Sequence, residues 1–367
     1  MRHHPRKEEI KYPYWLRTPM IMIGLGLLVV ILIAGKFILM PLAFAAFLSM
    51  LLNPLVKRLE KLKVARSLSI ILTLLLLLVV LAGGISLISV QFTQFVERVP
   101  EVSEKLKTLT ASGIEFLEEQ AGVSQEEQSD YLKQGINNVI DKSGNYISSI
   151  VSATTNLFTS ASLIPIFIFF MLYYREMYQT FFEKLFEIKG KDGEVEKILG
   201  RVQDVTQNYL VGMLTVIGIL AVLNTTGLLI IGLEHALFFG VFASLLAIIP
   251  YIGIIIGALP PLLFALLLTD SLLNPVLVIA VFATVQFLEG NFITPRIVGS
   301  KVSINPFMAM LALIIGGELW GISGMILFVP LIGILKVIFD QIEDLKPYGY
   351  LLGNRIEYEE PVATEVN

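Results

Sequence analysis

Residues 68–90 read LSIILTLLLLLVVLAGGISLISV, an uninterrupted apolar run without a single charge. At about 1.5 Å per residue, a helix of that length crosses the roughly 30 Å hydrocarbon core of a bilayer. Lipid offers the backbone no hydrogen-bond partners, so such a run must satisfy its own amides and carbonyls, which a helix does. The composition extends this reading to the whole chain. Of 367 residues, 55% are hydrophobic and only 16% charged, whereas a soluble domain carries about 25% charged residues. The expected fold class is all-α: a polytopic integral membrane protein with about eight membrane segments, several of them broken or re-entrant.

Toward the N-terminus lies a second apolar block, Met20 to Leu52, split by Gly35-Lys36 and Pro41. Its start resembles a secretory signal, with Ala43-Phe44-Ala45 as a small-x-small site. Lys36 interrupts the apolar region, however, and Phe47 to Leu52 continues it past that site, so a retained segment is expected. Five Lys/Arg precede Pro19, and five more follow Leu52 (Lys57, Arg58, Lys61, Lys63, Arg66). Basic loops stay in the cytoplasm. Residues 1–18 are therefore expected to form a cytoplasmic tail, and 19–96 to hold membrane segments 1–3, with 19–52 as a split hairpin.

Toward the C-terminus, the stretch Glu97–Tyr146 carries ten acidic and five basic residues. Val102, Leu106, Leu109, Ile114 and Leu117 recur there at roughly helical spacing. Residues 97–149 thus read as a polar amphipathic helical region on the non-cytoplasmic side, and 150–174 as membrane segment 4. Residues 175–208, with six basic and seven acidic residues, read as a cytoplasmic amphipathic linker. After Tyr209 the chain scarcely leaves the apolar regime, and 209–340 is the expected transport core. Leu210–Leu233 is one span and Pro275–Leu288 a short one. Ala236–Leu268 and Phe307–Phe339 are each too long for one. Helix breaks are expected at Pro250, Gly253, Gly257, Pro260 and Pro261 in the first of these, and at Gly316, Gly317 and Gly321 in the second. Residues 341–367 form a polar tail, expected to be cytoplasmic.

No catalytic constellation accompanies these segments. The net charge of −4 sits in loops and points to neither nucleic acid nor acidic substrates. With no cysteine, disulfides, thiolate metal sites and cysteine nucleophiles are excluded. The histidines are His3, His4 and His235, which cannot build an HExxH or a facial triad, so no metal is expected. There is no GxxxxGK[ST] and no GxSxG, hence no nucleotide, no cofactor and no enzyme activity.

Polar groups at membrane depth are costly and mark solute or ion paths. The densest set is Gln286-Phe287-Leu288-Glu289-Gly290-Asn291-Phe292-Ile293-Thr294-Pro295-Arg296. Gly290 and Pro295 are expected to interrupt the helix there, freeing backbone groups beside Gln286, Glu289, Asn291, Thr294 and Arg296. A polar turn with an ordinary Glu289–Arg296 pair would also explain the pattern. Glu318, among glycines and next to Trp320, is the second candidate carboxylate, against a plain interfacial loop with Trp320 as a belt residue. Gly253 and Gly257 form a GxxxG that favours either a helical hairpin or tight helix packing. Asn224-Thr225-Thr226 reads as interhelical glue, and Glu234-His235 as a short loop.

The motif Gln286…Glu289-Gly290-Asn291…Pro295-Arg296…Gly299 resembles the signature of the AI-2E family of bacterial transporters. Asn305-Pro306, Gly316-Gly317…Gly321…Gly324, Val329-Pro330, Ile249-Pro250-Tyr251-Ile252-Gly253 and Pro260-Pro261 add to the resemblance. The resemblance implies a multi-pass permease of the bacterial inner membrane with both termini cytoplasmic. It also implies a homo-oligomer, a pentamer among the options. Family members are linked to export of autoinducer-2, and some to Na⁺(Li⁺)/H⁺ antiport. Three functions stand open at this level. One is export of a small polar solute, and the second is cation–proton exchange through Glu289 or Glu318. The third is a non-transporting scaffold that binds partners through 97–146 and 175–208.

Overall fold

The computed structural model describes residues 14–84, 163–185, 193–249, 252–269, 273–299 and 304–353, with Ser86 and Ser271. The polar region 97–149 and most of the turn around Pro250 lie outside the described residues. Helices α1 (Tyr14–Ala34) and α2 (Lys36–Lys61) meet at Gly35. The structure corrects the expected hairpin over 19–52. Gly35, at φ −86° and ψ 3°, is the only residue out of register. Its N–H still reaches Ile31 O at 2.8 Å, and Leu39 N–H reaches Gly35 O at 2.9 Å. One residue shifted in ψ bends a helix and cannot reverse it.

A turn at Leu62–Ala65, with Lys63 at φ 65°, leads into α3 (Arg66–Gly84). Helix α4 (Leu163–Tyr173) packs on α2, and the three share a core around Ala45, Val56, Ile70 and Ile168. Their ends on one side are tied by charge. Arg175 pairs with Glu60 at 2.5 Å and Arg66 with Glu176 at 3.1 Å. The basic 57–66 linker and the 175–184 linker therefore sit on the same face of the membrane.

Helix α5 (Arg175–Leu185) is short, and α6 (Glu194–Ile231) spans 38 residues. The expected boundary between a linker ending at 208 and a span starting at 210 does not exist. No proline falls within α6, so nothing stops the polar first half from continuing into the apolar second half. Val211, Leu214, Val222, Leu229 and Ile230 of α6 are largely exposed. That apolar strip is about 30 Å long at 1.5 Å per residue, one bilayer core, and it makes α6 a ruler of depth.

After the turn at Gly232, α7 (Ala236–Leu246) folds back along α6 and α8 (Ile252–Leu268) returns beside it. At about 16 Å, α7 is too short to cross, so the pair is re-entrant. Phe239 of α7 is fully buried among Leu228, Phe264 and Val278. The structure moves several expected breaks. Gly257, Pro260 and Pro261 all lie inside continuous α8, and Gly253 is in its first turn. Both glycines are packing surfaces: a Cβ on Gly257 would stand 2.6 Å from Ala243 Cα, and one on Gly253 would strike the Leu246 carbonyl. Neighbouring helices re-satisfy backbone freed by such prolines in membranes, which is why they do not end α8.

Helix α9 (Leu273–Leu288) leads into two π-helical segments, Glu289–Ile293 and Pro295–Gly299. Helices α10 (Pro306–Trp320) and α11 (Ile322–Gln341) form a hairpin hinged on Gly321. At φ 63° and ψ −144°, Gly321 holds a conformation that L side chains rarely adopt. Gly316 and Gly317 do not break the helix as expected; they face Gly324 and Met325 across the hairpin. A 3₁₀ turn, Glu343–Leu345, and α12 (Lys346–Leu352) complete the described chain.

Candidate functional site

The segment expected to be a break at Gly290 and Pro295 stays helical in a widened form, which corrects that expectation. Thr294 N–H bonds Glu289 O, five residues back, the mark of a π turn. An α-helix would force the proline ring against the carbonyl four residues earlier and leave that carbonyl unpaired. The wider turn accommodates the ring. Asn291 Nδ2 donates to Phe287 O at 2.8 Å, capping a carbonyl at the α-to-π junction. π-turns of this kind are frequent at functional sites because they swing side chains out of helical register.

The π geometry brings three of the expected residues together. Glu289 accepts from Gln286 Nε2 at 2.8 Å through one carboxylate oxygen and from Thr294 Oγ1 at 2.5 Å through the other. Gln286 Oε1 is buried without a partner among the described residues. Asn291 and Arg296 are exposed instead. The Glu289–Arg296 pair is absent among the described residues, and the Arg296 guanidinium lies 5.8 Å over the Phe292 ring. Among the described residues Glu289 thus has two neutral donors and no cation, an arrangement that hydrocarbon alone would penalise by several kcal/mol.

Position explains what surrounds the carboxylate. Val281 of α9 lies against Gly227 of α6, and Val298 and Ile297 lie against Gly212. On the α6 ruler, Arg296 is therefore at the edge of the apolar band and Glu289 is inside it. Val216 and Leu220 of α6 and Val285 of α9 form a cluster joined by Ile293 and Ile297 of the π segments and by Ala247. Ala247 is the C-cap of α7, so the tip of the re-entrant pair reaches the π segment at mid-membrane. Two interrupted elements and one continuous helix converge there.

Glu318 is not part of this site. It is exposed near the α10–α11 turn, and the adjacent Trp320 donates its indole N–H to Leu32 O of α1 at 2.9 Å. That carbonyl lies just before the Gly35 bend. Trp320 thus has a structural partner beyond a belt role. Sequence reading missed Gly212, which lets the π segment approach: a Cβ there would lie 3.2 Å from Ile297 O. It also missed Ser244, which accepts from Asn224 Nδ2 at 3.0 Å and pins α7 to α6. Small residues inside an apolar helix were the available signal for both.

The chain has matches among known proteins. The AI-2E family transporter model covers residues 20–344. YrrI of Bacillus subtilis (strain 168), which carries a provisional transport assignment, is 32% identical over 82% of this chain and 86% of its own length. The AI-2 transport protein TqsA of Escherichia coli (strain K12) is 28% identical over 88% of this chain and 92% of its own. Among the described residues, five helices are long and apolar enough to cross a membrane, with shorter apolar helices between them, and a polar π segment meets a re-entrant tip within their depth. The chain is a multi-pass membrane protein that belongs to the AI-2E family of transporters.

Proposed function

We propose that this transporter exports a small polar, uncharged solute, autoinducer-2 or a molecule of similar polyhydroxylated chemistry, across the bacterial inner membrane. Both termini face the cytoplasm, and copies of the chain assemble as a homo-oligomer. The observation that carries this reading is the Gln286–Glu289–Thr294 set inside the apolar band, on the π segment whose Ile293 and Ile297 pack in one cluster with Ala247 at the end of α7. A hydroxyl-rich solute needs acceptors and donors in alternation. The remaining lone pairs of the Glu289 carboxylate and of the Thr294 hydroxyl supply acceptors, and the second amide hydrogen of Gln286 supplies a donor. The naming of TqsA as an AI-2 transport protein supports the solute class.

A second reading, Na⁺(Li⁺)/H⁺ exchange, draws on the same carboxylate, because Glu289 has only neutral partners among the described residues. Flux in proteoliposomes separates the two. Solute export predicts uptake of labelled autoinducer-2 that Glu289→Gln lowers at least tenfold, which is about 1.4 kcal/mol. Retained solute flux in that variant would overturn the site assignment. Na⁺-dependent proton flux lost in a Glu289→Gln/Glu318→Gln double variant would favour exchange.

A further inference from the structure

We propose that α5 is an interfacial helix whose apolar face is seated in the phospholipid headgroup layer of the protein's own membrane. At about 100° per residue, Met177, Phe181, Leu185, Tyr178 and Phe182 fall within one arc of about 140° on the helix. Met177, Phe181 and Leu185 are 54%, 54% and 58% exposed, and α5 buries no residue of its own against the rest of the chain. The charges are sorted with equal regularity. Arg175 and Lys184 lie at the two borders of the apolar arc; Arg175 is held there by Glu60, and the exposed Lys184 can reach phosphates while its stem stays in apolar surroundings. Glu176 and Glu183 occupy the opposite pole, away from anionic headgroups. A polar face with cations at its rim and an aromatic apolar face is the pattern of helices that lie in the membrane plane.

The surroundings fix this placement. Only Tyr174 separates α5 from α4, an apolar membrane helix. Around that junction Arg175 pairs with Glu60, and Glu176 with Arg66. The polar pole is thus turned toward the ends of α2 and α3, and the apolar arc away from them. Lys57, Arg58, Lys61 and Lys63 are exposed on the same face of the membrane, so the layer beside α5 is rich in phosphate-pairing groups. Lipid, not a protein partner, is the occupant that this charge order fits.

Because the chain lacks cysteine, single-cysteine variants of the full chain can each carry one environment-sensitive NBD label. In phosphatidylcholine/phosphatidylglycerol nanodiscs, labels at Phe181→Cys and, independently, Leu185→Cys are expected to emit blue-shifted. Spin-labelled lipid should quench both, and aqueous iodide should reach them several-fold less than a label at Gln179→Cys. Labels at 181 and 185 that iodide reaches as readily as 179 would show a helix in water and overturn the proposal. Labels shielded from iodide and from spin-labelled lipid alike would show a protein surface there, a second copy included, and overturn it equally.

Discussion

Glu289 and Asn224 show how single polar side chains are held inside an apolar fold by neutral partners. Glu289 depends on Thr294 and Gln286, neither of which cancels its charge. Asn224 is fully buried, and its amide finds Ser244, whose hydroxyl in turn donates to Gly240 O at 2.7 Å. Removing one member of a buried hydrogen bond strands the other. Ser244→Ala is expected to cost about 1 kcal/mol, read as a lower thermal midpoint in detergent. The paired change Asn224→Leu/Ser244→Ala removes both partners and should recover most of that loss. The sequence exposed Glu289, Gln286 and Thr294 as candidates, because polar residues stand out against an apolar run. It could not say that Arg296 turns outward, since that depends on how many residues the local turn contains.

Helix-breaking residues behave differently in each element. In α8, Pro260 and Pro261 sit inside a continuous apolar helix, and Gly257 receives Ala243 of α7. After α9, Pro295 opens the second π segment, and the π turn before it places Glu289 beside Thr294. In the α10–α11 hairpin only Gly321 reverses the chain, and Gly316 admits Gly324. The π turn is the element on which the proposed solute site rests. Pro295→Ala restores an N–H and permits an ordinary α-helix, which rotates Thr294 away from the carboxylate. Expected outcomes are a stability equal to or up to about 1 kcal/mol above the parent and solute flux reduced several-fold. Flux assays and thermal unfolding on one preparation would check both. An increase in stability with undiminished flux would show that the π register is dispensable.

Across the whole molecule, elements remote in sequence are stitched together at one end. The Asn305 side chain caps α10 by accepting from Met308 N–H at 2.9 Å. It also donates to Leu351 O at 2.8 Å and Gly353 O at 3.2 Å, and its own N–H reaches Leu352 O at 2.9 Å. The C-terminal segment is thereby fastened to the chain just after the π site. Asn305→Ala keeps the backbone bond and loses the cap and both side-chain bonds. A cost of roughly 1–3 kcal/mol follows from those losses. Faster amide exchange through 346–353, with the core of α6 unchanged, is the expected signature. Unaltered exchange in 346–353 would mean that the clasp does not hold the tail.

The sequence by itself determined the solvent, the helical class and the polar segment in which to look, because all three follow from local composition. A run without charges belongs in lipid, lipid demands helices, and polar residues within such runs must have partners. The tertiary structure alone decided the roles of individual residues. It bent α1–α2 at Gly35 where charge counting suggested a hairpin, carried α6 through 208, and turned four expected breaks, Gly253, Gly257, Gly316 and Gly317, into packing surfaces. It also separated Glu318 from Glu289 and set the α7 tip against the π turn. The reason is physical. A glycine or proline weakens a helix by one to a few kcal/mol, and the neighbours brought by tertiary packing settle whether that weakness becomes a break, a bend or a contact.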